Sequence, residues 1–224
     1  MSIKNNLNRI QSSLPEQVTL VAISKTKPDE DLLEAYQAGQ IIFGENKVQE
    51  LLGKYERLPK DIEWHFIGHL QSNKIKYIAK FVSLIHAVDS FKLLKAIDKE
   101  AEKNNRVINC LLQMHIAEEE SKFGFSPEEL EVLIHDESWT SLKHVKIVGL
   151  MGMATYTEDT QQIHSEFALL KSYFDRFKTG IFKSKDEFNI LSMGMSGDYQ
   201  IAIEEGSNMV RIGSSIFGER HYIK

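Results

Sequence analysis

The sequence predicts an α/β fold: a single (β/α)8 TIM-type barrel with an extra N-terminal helix. Three observations carry this. Eight short β-branched and apolar runs alternate with segments of helical periodicity along the whole chain, the βαβα order that builds a parallel sheet. Several of the runs are continuously apolar, as strands buried on both faces are. The first run ends in Ser24-Lys25-Thr26-Lys27-Pro28, where an open dinucleotide-binding sheet would need its G-x-G-x-x-G turn. A parallel sheet can close as a barrel or stay open and doubly wound; eight strands in 224 residues favour the barrel.

Residues 1–14 are polar and amphipathic, without the apolar stretch of a secretion signal, and are assigned to the extra helix. The strands follow at Val18–Ser24, Ile41–Gly44, Ile62–Ile67, Leu84–Val88, Val107–His115, Val145–Leu150, Asn189–Ser192 and Met209–Ile212. Between the first two, Leu32, Leu33, Ala35 and Tyr36 share a helix face, and Gly39 offers the stop. After the fourth, Ser90 is placed to cap a helix carrying Leu93, Leu94, Ile97 and Ala101. After the fifth, Ser126-Pro127-Glu128-Glu129 reads as a capping box with proline in the first helical position. After the sixth, Ile163, Phe167, Leu170, Phe174 and Phe177 form the apolar stripe of a helix lying on a sheet.

Composition narrows the function classes. With 42% apolar and 26% charged residues, 4 prolines and 13 glycines, disordered and low-complexity scaffolds are excluded. A net charge of −5 carries no signature of nucleic acid or of an anionic membrane surface. No apolar run approaches the ~20 residues that cross a bilayer. One cysteine, Cys110, sits in an apolar run; it leaves no partner for an internal disulfide and fits a reducing, cytoplasmic setting. Neither linker nor repeat divides the chain, so residues 1–224 are expected to form one domain.

A barrel places its chemistry on the loops after the strands. The loops after strands seven and eight, where barrels often hold a phosphate, contain Gly194, Ser196, Gly197, Gly213 and Ser214. Glycines there let backbone N–H groups approach an anion and the serines add hydroxyl donors; ordinary tight turns would use the same residues. Lys25 follows an otherwise apolar strand. Partial desolvation at a barrel mouth would lower its pKa and let the amine form a Schiff base, although a lysine that merely emerges into water has the same sequence. Together, a carbonyl-trapping lysine and a phosphate cradle suit pyridoxal 5′-phosphate (PLP). Other constellations are weaker. His65 and His69 lack the glutamate of H-E-x-x-H, Gly194-Met195-Ser196-Gly197-Asp198 is not a G-x-S-x-G elbow, and Lys74, Lys76 and Lys80 form a basic stripe that suits solvent or an acidic partner.

Seven blocks resemble the pyridoxal phosphate homeostasis proteins. They are Val21–Pro28, Phe43–Asn46 with Val48–Glu50, Trp64–Lys74, Glu120–Gly124, Gly149–Met151, Leu191–Ser196 and Val210–Gly218. The resemblance implies a barrel related to the N-terminal domain of alanine racemase. It makes Lys25 the PLP-bearing lysine and Lys27 the second lysine of that motif. It makes Asn46 a pocket residue near the ring, and Ser196, Gly213 and Ser214 the phosphate-binding set, with serine at 214 where threonine is commoner. Arg211 would stand near the pyridine nitrogen, and Lys122 is a further family lysine near the mouth.

The expected function is therefore a cytoplasmic, monomeric PLP carrier and buffer. It would hold PLP as a Schiff base on Lys25, serve PLP enzymes lacking their cofactor, and catalyse little. An amino-acid racemase is the alternative, but only about ten residues follow the last strand, too few for the second domain that covers the cofactor in alanine racemases. A barrel with a vestigial pocket is the third reading.

Overall fold

Eight parallel strands close in sequence order, β1 through β8, in the computed structural model, which describes residues 2–119, 123–136 and 138–219. They are β1 Thr19–Ile23, β2 Ile42–Glu45, β3 Glu63–Phe66, β4 Leu84–Val88, β5 Ile108–Gln113, β6 Val145–Met151, β7 Ile190–Ser192 and β8 Met209–Ile212. The closing ladder pairs Thr19 with Met209 through Ala22 with Ile212. The helices are α1 Ile3–Ser13, α2 Asp29–Gln37, α3 Val48–Arg57, α4 Ile75–Ile78, α5 Phe91–Lys103, α6 Pro127–Asp136, α7 Thr160–Thr179, α8 Tyr199–Glu204 and α9 Ser214–Phe217.

Strand alternation divides the apolar residues into two layers. Val21, Ile23, Leu84, Ala87, Leu111, Val148, Met151 and Met209 fill the barrel interior. Residues of opposite parity, such as Leu20, Ala22, Phe43, Trp64 and Phe66, pack outward against the helices. The outer layer uses the signals read from sequence. Ser90 Oγ accepts from Leu93 N–H at 3.3 Å, and Ser126 and Glu129 exchange their two capping bonds at 3.1 and 2.9 Å. The stripe of α7 is buried at Ile163, Phe167, Leu170, Phe174 and Phe177. Helix α1 buries Leu7 and Ile10 and packs on α2 and α9.

The fifth strand is shorter than the sequence suggests. Its apolar run extends past Gln113, but His115 N–H bonds to Phe125 O instead of continuing the ladder to β6, so the chain leaves the barrel there. Between β5 and β6 the register shifts at Cys110/Leu111. Gly149 takes up the irregularity at φ +155°, so close to β7 that a Cβ would lie 1.8 Å from Ile190 O. No described helix is long and apolar enough to cross a membrane.

Candidate functional site

At the C-terminal mouth, Lys25 lies two residues beyond β1 and is half-buried. It and Thr26 occupy the centre of a turn closed by Lys27 N–H to Ser24 O at 3.0 Å. Thr26 adopts φ +65°, a conformation costly for a β-branched residue. A buried charge cluster holds this turn from the helix side. Thr26 N–H donates to Glu50 Oε1 at 2.6 Å. Lys54 Nζ donates to Glu50 Oε1, Glu45 Oε1 and Ser24 O at 2.8, 2.7 and 2.8 Å. Ser24 Oγ donates to the same Glu45 oxygen at 2.7 Å. Burial pushes the Glu45 carboxyl above its ordinary range, and Lys54 opposes that shift. Lys27 faces elsewhere: its ammonium donates to Phe217 O, Gly218 O and Glu219 O, closing the C-terminus of α9.

The floor of the mouth is polar. Arg211, 3% exposed, donates to Ser192 Oγ at 2.7 Å and to Gly152 O at 2.9 Å. His86 Nδ1 lies 3.1 Å from Ser192 Oγ, and its Nε2 lies 3.0 Å from His65 Nδ1. Burial lowers His65 to about 3 and takes His86 well below the usual histidine range, the charges of His65 and Arg211 adding to the latter shift. It also lowers Arg211 to about 10, which leaves the guanidinium charged at neutral pH. Beside the floor, Asn46 Oδ1 is buried with no hydrogen-bond partner among the described residues. Gly68 lets the loop after β3 lie against Asn46, where a Cβ would meet Asn46 O at 2.4 Å.

The loops after β7 and β8 meet where Gly213 N–H donates to Ser196 Oγ at 3.2 Å. Ser214 is exposed in the first turn of α9. The three glycines differ in use. Gly213 sits so close to β1 that a Cβ would be 3.0 Å from Ile23 O; Gly194, at φ +95°, leaves room for Ala202 and Tyr199 of α8; and Gly197 has open space around it. Gly194 is thus explained by helix packing alone.

Lys25, Asn46, Ser196, Arg211, Gly213 and Ser214 lie on the strand ends, loops and first turn of α9 that border this one mouth. His65 and His69 take different partners: His65 joins His86, while His69 Nδ1 is 2.8 Å from Asp89 Oδ2 and its ring stacks on Phe123. The described residues hold no group of three or more potential metal ligands. Lys74, Lys76 and Lys80 lie on and around the short α4, the first two over the Tyr77 ring. Lys122 lies outside the described residues. Sequence reasoning missed the Ser24–Glu45–Lys54 cluster and the His86–Ser192 pair. A signal existed for each: Glu50 and Lys54 at i, i+4, and one histidine inside the apolar run of β4.

The family described as alanine racemase, N-terminal domain, matches residues 1–221. The pyridoxal phosphate homeostasis protein of Aquifex aeolicus is 43% identical over 208 residues, covering 91% of this chain and 87% of that one. That of Pasteurella multocida is 38% identical over 237 residues and covers both chains completely. PipY of Synechococcus elongatus, solved without PLP, superposes with a TM-score of 0.91 at 33% identity, covering 97% of this chain and 100% of its own. The same protein with PLP bound superposes at 0.83.

Proposed function

This chain belongs to the alanine racemase N-terminal domain family and, within it, to the pyridoxal phosphate homeostasis proteins, and we propose from this premise that it binds PLP at the barrel mouth and buffers or delivers it. The observation that carries the reading is the convergence on one mouth of the half-buried Lys25, the buried Arg211 and the Ser196–Gly213 pair. The residues fit the cofactor in chemical kind. An amine stands at one loop, and at another a hydroxyl and a backbone N–H are already brought together. Arg211 is held through neutral acceptors, and Asn46 carries a buried oxygen with no partner among the described residues.

When bound, PLP supplies an electrophilic aldehyde and a conjugated ring able to accept electrons. Lys25 would hold the aldehyde end covalently. Ser196, Gly213 and Ser214 would hold the phosphate, and Asn46 would line the pocket beside the ring. Arg211 would face the pyridine nitrogen, and a guanidinium, having no proton to give at neutral pH, keeps that nitrogen unprotonated. An unprotonated ring is the weaker electron sink, which suits a carrier or a racemase better than a transaminase. In this reading residues 1–224 act as one domain, a cytoplasmic monomer that serves enzymes lacking their cofactor.

The test is an absorbance spectrum of the purified protein with PLP, followed by borohydride reduction and peptide mapping. The expected result is a yellow protein with the reduced adduct on Lys25, lost in Lys25→Ala. A protein that takes up no PLP overturns the reading, and an adduct elsewhere, on Lys122 for example, overturns the assignment of Lys25. Steady turnover or inversion of amino acids would show an enzyme instead of a carrier.

A further inference from the structure

We propose that Ser192, His86 and His65 are positioning residues for Arg211, joined in a neutral hydrogen-bond chain of one fixed direction. The argument is donor and acceptor accounting. A guanidinium can only donate, so at 2.7 Å Ser192 Oγ must accept from Arg211. The Ser192 hydroxyl hydrogen is then free to point at His86 Nδ1, 3.1 Å away. His86 therefore carries its proton on Nε2 and donates it to His65 Nδ1 at 3.0 Å. His65 in turn must carry its proton on Nε2.

The opposite direction fails at its last link. His65 could donate to His86 and His86 to Ser192, but Ser192 Oγ would then accept from both His86 and Arg211, and its own buried hydrogen would have no acceptor among the hydrogen bonds of the described residues. All four side chains are buried, so water does not readily take over a lost link, and a buried polar group without a partner costs more than an exposed one. One permanently charged arginine on β8 thus sets the tautomers of histidines on β3 and β4, across the barrel interior.

The chain has a use because the guanidinium is large and, among the described residues, its hydrogen bonds go to Ser192 Oγ and Gly152 O. Two neutral acceptors at fixed positions define the guanidinium plane, and Ser192 is itself oriented by its own acceptor, His86. What the plane is held for rests on the reading of this mouth as a PLP site, where Arg211 faces the ring nitrogen. The existence and direction of the chain do not.

The experiment has two arms for that reason. In the full chain without added cofactor, 15N-edited NMR of the imidazoles, assigned with His65→Asn and His86→Gln, should show both histidines neutral and protonated on Nε2. His86 protonated on Nδ1 overturns the chain. In the second arm, Ser192→Ala should bind PLP about tenfold more weakly, the scale of one buried hydrogen bond to a charged group, and shift the absorbance maximum of the bound cofactor. Ser192→Thr, which keeps the hydroxyl, should restore both. Unchanged affinity and absorbance in a folded Ser192→Ala protein would overturn the positioning role; should that variant fail to fold, His86→Leu serves in its place with the same two outcomes. A wild-type chain that binds no PLP refutes the cofactor reading, and the NMR arm still decides the chain.

Discussion

Lys54 Nζ lies 2.7 Å from Glu45 Oε1, and both side chains are almost completely withdrawn from water. The pair fastens the turn that carries Lys25, because Lys54 also binds Ser24 O and Glu50. Removing one partner leaves the other as an uncompensated buried charge. Lys54→Met is therefore expected to cost about 3–5 kcal/mol, measured by urea unfolding at neutral pH. Combined with Glu45→Gln, it should recover part of that loss. A Lys54→Met protein as stable as wild type would show that the cluster is not a structural fastening.

Gly149 should tolerate no side chain. A Cβ there would overlap Ile190 O at 1.8 Å, and its φ of +155° is strained for any L residue. Backbone meets backbone, so no rotamer change relieves the clash. Gly149→Ala is expected to destabilise by more than about 3 kcal/mol or to prevent folding. Gly197→Ala, which meets nothing within 4 Å, is the matched control and should unfold within error of wild type.

The barrel was legible in the sequence because parallel strands buried on both faces are written as apolar runs, and Leu84–Val88 and Met209–Ile212 have the same limits in both readings. The strand ends were less legible. Val107 and His115 look like strand, yet Val107 is exposed and His115 bonds to Phe125, a choice made by tertiary contacts. The candidate mouth residues stand out by their place on the loops after the strands, where glycine, serine and a post-strand lysine suit ordinary turns as well, and their roles come from the resemblance. The supporting groups left only weak signals, the Glu50/Lys54 pair at i, i+4 and one histidine in the β4 run: the importance of Glu45, Lys54, His86 and Ser192 comes from burial, and periodicity does not pair a strand residue with one on a distant strand or a helix.

Acid should destabilise the protein through its buried histidines. Burial lowers His65 from the ordinary histidine value of 6.5 to about 3, and His86 falls well below the same value. The unfolded chain takes up these protons as pH falls through about 6.5, while the folded chain does not; it binds fewer protons over that window. Stability is then full above pH ~6.5 and declines toward pH ~3, by up to ~1.4 kcal/mol per pH unit for each histidine. Urea unfolding at pH 7, 6 and 5 checks this by difference: His65→Gln should have the shallower decline. Parallel declines in the two proteins would refute the assignment.

Ser196 offers the most selective test of the proposed phosphate end. Its Oγ already accepts from Gly213 N–H at 3.2 Å, so the hydroxyl hydrogen remains to be donated outward and the two loops are set relative to each other. If the pair binds phosphate, Ser196→Ala should weaken PLP binding by about 1–3 kcal/mol, read by equilibrium titration of absorbance. The loss must depend on the phosphate itself. Pyridoxal, which has the same ring and aldehyde without the phosphate, should bind wild type and Ser196→Ala equally, and inorganic phosphate should compete with PLP more weakly in the variant. Ser214→Thr keeps its hydroxyl and should leave affinity unchanged. Equal losses for pyridoxal and PLP in Ser196→Ala would place the effect at the ring or at Lys25, and would remove Ser196 from the phosphate site.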